Sequence, residues 1–427
     1  MRVAILARTI VCREVTVSGS PFRFLQASDL HLEQPLYGVE EIPDHLRELF
    51  IEAPLRAAKR LFDLAVDQEV EFVLLVGDVL HPFQAGPAAC TFLVEQFQRL
   101  AEREISVYWS AGSVEHFENW PVALELPRQV HFCDQTRTEP LVHQREGVPL
   151  ASVVAGDLSN LRGHEHGQDG ADLYRIALSC EAPSEEMILH GGFSYWALGG
   201  RHQRCTVSDR PGNSTIAHDA GSPQGRCPGE EGSHGVTLIH VEDDGSTTLE
   251  PMATDVATWV QERVEIDDST AEEDLEELLN VRASELANEG VGRTQLVTWT
   301  IVGGDSVGWQ MRRGVLAGNL LERLRKNFGY EETSVWSLTL NWESGCDLPA
   351  SWYEEETLRG EFLRHARDLS GSDHSLQSFV PELEEGNLES LGVKAAVDVA
   401  DDGEETERLF REVSLLASDL LSGGRSG

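Results

Sequence analysis

EFVLLVGD, residues 71–78, decides the fold of this chain. The segment is almost continuously apolar and ends in Gly-Asp, which is typical of a parallel strand covered on both faces. Helix-patterned segments flank it at 53–68, where Pro54 stands at the predicted first helical position, and at 86–104. Further strand-like runs, FRFLQAS (22–28) and ISVYWS (105–110), complete an alternation that predicts α/β architecture.

Strand-like runs continue beyond residue 150. They are LASVVAG (150–156), EEMILHGG (185–192) and GVTLIHV (235–241), and we predict strands at all three. Polar, glycine-rich stretches at 160–170 and 206–235 separate them, and we interpret these as surface loops around a site.

The composition and pattern divide the chain into four parts. A smaller α+β domain is predicted after the first one, because two strand-like runs alternate there with amphipathic helices. The last part is acidic and carries a final amphipathic helix that would suit partner binding. The predicted parts are an N-terminal extension (1–21), a main α/β domain (22–250), the smaller domain (254–345) and a helical tail (350–427).

The net charge is −39, from 73 acidic and 34 basic residues. A protein that coats DNA needs a net basic face to neutralise phosphates, so this charge counts against that class. Any contact with nucleic acid must be local, mediated by metal or shared with another subunit. The sequence has no apolar run long enough for a membrane helix, which predicts a soluble, cytoplasmic protein with no membrane partner.

Two other kinds of site find no support in the sequence. The seven cysteines contain no CxxC pair, which counts against a zinc knuckle or a disulfide framework and favours reduced thiols. The sequence also lacks the phosphate-binding loop motif, GxxxxGK followed by Ser or Thr, so the chain has no nucleotide-driven motor of its own.

Polar residues follow two of the predicted strands. SDLHLEQP (28–35) places Asp29 and His31 just after the first strand, and Asp78 ends the strand at 71–78. Open α/β sheets form their ligand crevices at this edge, and carboxylates with imidazoles suit Mn²⁺, Fe²⁺ or Zn²⁺. Each residue taken alone could be a turn cap or a strand-end turn residue. Their order beside two strand ends favours a shared metal site.

These segments resemble the calcineurin-like metallophosphoesterases, whose motifs run DxH, GD, GNHD or GNHE, a lone His, and GHxH. Within that superfamily the chain is most similar to the SbcD/YhaO-like DNA repair exonucleases, through DLHLEQPLYG, VEFVLLVGDVL, YWALGG and AGSPQGRCPGEEGSHGVTLIHV in order. The resemblance covers about 22–250 and extends more weakly to 254–345. It implies an αββα sandwich with a smaller α+β capping domain and a helical C-terminal tail.

The resemblance also implies a set of ligands and a reaction. In such enzymes two divalent ions bridged by an aspartate activate water for in-line attack on a phosphodiester. Carried over by motif, the first ion would be bound by Asp29, His31, Asp78 and His202. Asp78 would bridge to a second ion that His190, in ILHGG (188–192), also contacts.

The sequence departs from the family motifs where the second ion would bind. GNHD is replaced by Gly112, Ser113, Val114 and Glu115, so the catalytic His is absent and only the Ser113 oxygen remains as a weak ligand. GHxH is replaced by Gly199, Gly200, Arg201 and His202, which removes a further ligand. We therefore expect one firmly bound divalent ion, Mn²⁺ by resemblance, and a second site that is weak or absent.

Other residues are candidates to compensate for these losses. His116, two positions beyond Val114, is the candidate catalytic acid, although exposed histidines after a strand are common. A literal GHxH at 163–166 would more simply be a polar loop. Arg201 and Arg204 are candidates for binding the substrate phosphate, and salt bridges to the acidic surface are the alternative.

The resemblance implies a metal-dependent phosphodiesterase that hydrolyses DNA ends together with a separately encoded, SMC-like coiled-coil ATPase. The degenerate motifs predict weakened activity. The alternative is a catalytically retired scaffold subunit of such a repair complex, and a phosphoesterase acting on small nucleotides is a third reading. The sequence leaves open whether the chain forms a homodimer.

Overall fold

The structure is a computed structural model. It describes residues 20–81, 84–112, 115, 120, 125–133, 139–162, 173–208, 215–290, 292–312, 314–330, 334–343, 350–370, 413, 414, 417 and 421. The chain divides into two units, residues 1–343 and 344–427.

The first sheet carries the strand that decided the fold. Its central strands are parallel, and β11 and β12 extend it in antiparallel fashion. In spatial order the strands are β12 (Thr247–Ala253), β11 (Gly235–Val241), β1 (Phe22–Ser28), β2 (Phe72–Val76), β3 (Ser106–Ser110) and β4 (Val130–Cys133).

A second sheet of six strands lies against the first. Four of its strands are parallel, and β5 and β9 are antiparallel strands at its two edges. In spatial order the strands are β5 (Leu141–Arg145), β6 (Val148–Ala155), β7 (Tyr174–Ser179), β8 (Tyr195–Leu198), β10 (Ile216–Asp219) and β9 (Cys205–Ser208).

Three apolar layers hold these sheets and their helices together. Side chains of both sheets share one core, in which Phe24 and Leu74 meet Ile176 and Tyr195. Helices α1 (Arg47–Asp67) and α2 (Pro87–Ala101) cover the outer face of the first sheet. Helices α3 (Leu158–Arg162) and α4 (Glu185–His190) cover the outer face of the second. The predicted αββα sandwich is confirmed.

Helix α1 begins earlier than predicted, at Arg47, so Pro54 lies inside it and not at its first position. A proline has no N–H to bond the carbonyl four residues earlier. Here that carbonyl, Phe50 O, accepts a hydrogen bond from Leu36 N at 2.8 Å. The tertiary contact satisfies the carbonyl that Pro54 leaves free, which explains why the helix tolerates this residue.

The predicted strand at EEMILHGG is wrong, because residues 185–190 form helix α4. Ser184 caps the helix by accepting a hydrogen bond from Met187 N, and Glu185 and Glu186 occupy its first turn. A short apolar run has the same appearance in a buried strand and in a buried helix, so its pattern alone could not decide.

A third sheet, with its own core, occupies the region predicted as the capping domain. Its strands β13 (Ala257–Ile266), β14 (Thr294–Gly303) and β15 (Val335–Glu343) are all parallel. Helices α5 (Glu272–Glu289), α6 (Asp305–Arg312) and α7 (Val315–Phe328) pack on this sheet. Trp259 and Leu296 pack against Phe50 of α1, and Gln224 accepts a hydrogen bond from Val256 N at 2.8 Å. These contacts join this region to the loop that follows β10.

The second unit is described only in part. It contains α8 (Ala350–Tyr353) and α9 (Leu358–Ser370), and residues 413, 414, 417 and 421 are helical. The rest of the predicted tail lies outside the described residues. In the part of the chain that the structure describes, no helix is both long enough and apolar enough to cross a membrane.

Candidate metal centre

The turns after β1 and β2 lie side by side because these two strands are parallel neighbours. Asp29 N donates to Gly77 O at 3.2 Å, and His31 N donates to Asp78 O at 2.9 Å. The sequence predicted that Asp29, His31 and Asp78 lie at strand ends. The two backbone hydrogen bonds show that the turns carrying them are in contact.

These three residues adopt an unusual backbone conformation. Asp29 has a φ of 53°, His31 of 42° and Asp78 of 48°, all in the left-handed region. Residues other than glycine rarely adopt positive φ values, and the strain persists only where the surroundings impose it. Such strain is common at functional sites, and here it occurs in three of the residues expected to bind metal, although Glu69, Glu104 and Glu146 also have positive φ values elsewhere.

His202, in the segment after β8, joins two of these residues. One ligand atom each from Asp29, His31 and His202 lie within 4.8 Å of one another, and the two imidazole rings meet edge to face with centroids 5.4 Å apart. Asp78 stands in the adjacent turn and is not part of this close group, although its charge raises the pKa of Asp29.

The site contains buried lone pairs that the protein does not satisfy. Among the described residues, Asp29 Oδ1, His31 Nε2 and Asp78 Oδ1 are buried and have no hydrogen-bond partner. Buried polar atoms are nearly always bonded, so such atoms require an explanation. A divalent cation fits, because carboxylate oxygens and imidazole nitrogens are its usual ligands.

The protonation of these groups depends on burial. Burial raises the pKa of Asp29 to about 6, against opposing hydrogen bonds from Ser28 and Gly200, and it also raises the pKa of Asp78. Burial and the charge of Arg226 lower the pKa of His31 to about 3. The imidazole of His31 therefore stays neutral, as a metal ligand must, and burial disfavours the ionised form of both carboxylates, which a nearby cation would favour.

Glu115 holds the Asp78 turn in place. It is 2% exposed, and its Oε1 accepts hydrogen bonds from Val79 N at 2.7 Å and Leu80 N at 3.0 Å. Its Oε2 accepts from Gly112 N at 2.8 Å. The last residue of the degenerate motif thus ties the turn after β2 to the end of β3.

Two residues around His202 carry no signal in the sequence. Glu230 Oε1 accepts a hydrogen bond from His202 Nδ1 at 2.6 Å, and the Arg226 guanidinium lies against the same ring. Burial alone would raise the pKa of Glu230, but the hydrogen bonds from His202 and Arg226 N and the charge of Arg226 lower it to about 2. Both residues lie in RCPGEE (226–231), and nothing in that segment indicates a contact with His202.

Cys180 and Gly200 occupy the region beside Asp78. Cys180 Sγ lies 3.6 Å from Ala111 O, and a Cβ added to Gly77 would stand 2.5 Å from that sulfur. Burial and the neighbouring carboxylates raise the pKa of the Cys180 thiol. Gly200 has a φ of 93°, and its N–H donates to Asp29 Oδ2 at 3.1 Å. Within the described part of the chain, this region thus offers a protonated thiol and a backbone N–H, neither of which favours a divalent ion.

The structure does not bring His190 to this centre. It is the exposed last residue of α4, which returns from the end of β7 to the start of β8. Gly192 O accepts from Arg175 Nη1 at 2.7 Å, and Arg175 is the second residue of β7. His190 therefore lies at the opposite edge of the sheet. The residue that β7 carries towards Asp78 is Cys180.

Arg201 lines an open cavity of about 510 Å³ beside His202. Gly229 and Glu230 also line this cavity. Arg204 lines the same cavity, and its Nη2 donates to Val236 O at 3.4 Å. Both arginines thus line a cavity that also includes His202.

The remaining candidates cannot be placed. Ser113, His116 and the motif at 163–166 lie outside the described residues.

Comparison with known proteins adds three findings. Residues 22–221 match the model of the calcineurin-like phosphoesterases. The chain is 26% identical over 346 residues to a Bacillus subtilis (strain 168) protein described as uncharacterized metallophosphoesterase YhaO, covering 75% of this chain and 81% of that one. A dimetal phosphatase from Danio rerio is 11% identical, with 52% of this chain and 93% of that chain covered and a TM-score of 0.33. That structural likeness is too low to support an argument.

Proposed function

Because residues 22–221 form a calcineurin-like phosphoesterase domain, we propose that this metal-dependent phosphoesterase is a phosphodiesterase that hydrolyses DNA ends. The observation that carries the proposal is the group of Asp29, His31 and His202, whose ligand atoms converge within 4.8 Å at the carboxyl edge of the sandwich.

The ion that best fits this donor set is a single divalent cation, with Mn²⁺ as our candidate. Asp29, His31 and His202 would hold it, and Asp78 would approach from the adjacent turn. When bound, it would lower the pKa of water and stabilise negative charge on the phosphoryl oxygens. The second ion of the family would find Cys180 and the Gly200 backbone where it needs ligands, so we propose that it binds weakly or not at all.

The residues of the chain would orient the substrate around this ion. His31 stays neutral because its pKa is about 3, so it presents a lone pair at every working pH. Arg201 and Arg204 line the adjoining cavity and would bind the phosphodiester, because a guanidinium matches phosphate geometry.

The proposed assembly follows from the net charge. At −39 the chain would repel a duplex over most of its surface, so a partner must supply the basic face. We propose an SMC-like coiled-coil ATPase as that partner, engaged through the helical tail, because the sequence has no phosphate-binding loop of its own. A homodimer is compatible with this assembly.

One observation favours a second candidate, a retired scaffold subunit of the same kind of complex. Among the described residues, the region beside Asp78 offers the half-buried Cys180 thiol and a backbone N–H in place of metal ligands, and the family's catalytic His is replaced by Val114. A scaffold would keep one ion for stability only, because metal binding adds to the free energy of unfolding.

A direct assay separates these candidates. With Mn²⁺ present, we expect the purified chain to hydrolyse bis-p-nitrophenyl phosphate and linear DNA. Asp78→Asn should lower both rates by about 10²-fold or more, because a neutral amide stabilises the cation less than a carboxylate does. Asp243→Asn, in the exposed hairpin between β11 and β12, is the matched control.

Full activity in Asp78→Asn would contradict the site. Metal binding without hydrolysis of either substrate, even with the partner ATPase added, would favour the scaffold.

Metal affinity should depend on pH through Asp29. Its pKa is about 6, above its ordinary value of 3.8, so protons compete with the ion for this carboxylate as the pH falls below 6. We expect the affinity for Mn²⁺ to fall about tenfold per pH unit below pH 6 and to change little between pH 7 and 8. Isothermal titration across this range measures it. An affinity that stays constant from pH 7 down to pH 5 would contradict a ligand at Asp29 whose pKa lies near 6.

A further inference from the structure

His202 is held on its Nδ1 side by a buried carboxylate. Glu230 Oε1 lies 2.6 Å from Nδ1, and Glu230 Oε2 accepts a hydrogen bond from Arg226 N at 2.7 Å. Both carboxylate oxygens are therefore committed to donors. Because an ionised carboxylate only accepts hydrogen bonds, Nδ1 must carry the ring proton, so Nε2 is the ring nitrogen that carries the in-plane lone pair.

Arg226 holds the same ring from a second direction. Its Nη2 lies 3.0 Å from Nε2 and 3.1 Å from Nδ1 of His202. The two ring nitrogens flank one carbon, so an atom almost equidistant from both would collide with that carbon if it lay in the ring plane. The guanidinium nitrogen therefore lies over the ring face, an arrangement that arginine favours with planar rings.

The guanidinium is itself fixed from behind. Arg226 is only 2% exposed, and its Nη1 donates to Gln34 Oε1 at 2.6 Å. Gln34 stands three residues after His31, so this contact ties the support of His202 to the turn that carries the other imidazole. The in-plane lone pair of Nε2 remains directed away from Glu230.

We propose that Glu230 and Arg226 are positioning residues for the metal centre: Glu230 fixes the tautomer of His202, and Arg226 fixes the plane of its ring, so that Nε2 faces Asp29 and His31. The inference rests on the proposed function, because it assigns a role through the metal. Carboxylate partners of this kind typically change metal affinity by about 10–100-fold.

Glu230→Gln is the informative variant. Glutamine has one acceptor oxygen for two donors, so it must either lose the Arg226 N–H bond or turn its NH₂ group towards Nδ1, which favours the wrong tautomer of His202. We expect Co²⁺ to bind this variant about 10–100-fold more weakly, with a changed visible absorption spectrum of the bound ion. Glu231→Gln, at the exposed neighbouring position, is the matched control and should bind as the wild type does.

A double-mutant cycle distinguishes positioning from a general loss of stability. If Glu230 acts through His202, then Glu230→Gln should have no further effect on Co²⁺ affinity in a His202→Ala background, while it should still weaken binding in a His31→Ala background. Equal effects in the His202→Ala and wild-type backgrounds would overturn the proposal.

The same titrations separate the two levels of inference. Wild-type chain that binds no Co²⁺, or His202→Ala that binds it as tightly as the wild type, would refute the metal centre itself. If the wild type binds and His202→Ala weakens binding, but Glu230→Gln matches the wild type in affinity and spectrum, only the positioning role fails.

Discussion

Replacing His31 by alanine is expected to weaken Mn²⁺ binding by more than about 100-fold and to remove most phosphodiesterase activity. Partners that merely orient a ligand already change metal affinity by about 10–100-fold, so loss of the ligand itself should exceed that range. His31 Nε2 is buried and makes no hydrogen bond within the described part of the chain. Its removal therefore costs the fold little, and the EDTA-treated variant should unfold close to the wild-type temperature.

His190→Ala is the matched control for His31→Ala. The family resemblance made both histidines candidate ligands, and for His190 it was the only ground, but the structure leaves His190 exposed at the opposite edge of the sheet. We expect unchanged Mn²⁺ affinity and activity for this variant. Comparable losses in the two variants would contradict the position of His190, and wild-type affinity in His31→Ala would contradict the assigned centre.

Replacing Glu115 by alanine should destabilise the chain by at least about 3 kcal/mol and also reduce activity. The change leaves the N–H groups of Val79, Leu80 and Gly112 without their acceptor, and each buried unsatisfied group costs about 1–3 kcal/mol. Activity should fall as well, because Val79 directly follows Asp78 and the turn loses its anchor. Urea unfolding in EDTA measures the first effect separately from metal binding.

Two further variants test this interpretation of Glu115. Glu115→Gln keeps an oxygen for Val79 N and Leu80 N but turns an NH₂ group towards Gly112 N, so we expect a smaller loss of stability than with alanine. Glu102→Ala, an exposed acidic residue at the end of α2, should change the free energy of unfolding by less than about 0.5 kcal/mol. A Glu115→Ala midpoint equal to that of the wild type would show that the turn does not depend on this carboxylate.

The sequence predicted some neighbours of Asp29 and missed others. Asp29, His31 and Asp78 follow apolar strands directly, and parallel neighbours end at one edge, so their proximity was predictable. His202 was implied only by the resemblance, because no strand was predicted at 195–198, where β8 lies. Cys180 also ends a strand, β7, but nothing in its own segment marks it as a neighbour of Asp78. The resemblance instead pointed to His190, in a short apolar run whose pattern fits a strand and a helix equally.

The sequence by itself determined the α/β alternation and the residues at the ends of β1 and β2, because hydrophobic periodicity is local and strand ends follow from it. The αββα order and His202 were implied only by the family resemblance. Only the tertiary structure shows that His190, at the end of α4, lies away from the metal centre, and that Glu230 and Arg226 both contact the His202 ring. Those contacts join loops distant along the chain, and their geometry depends on packing between the loop after β10, the turn after β1 and the third sheet. No periodic pattern encodes such contacts, since each depends on where several separate segments meet.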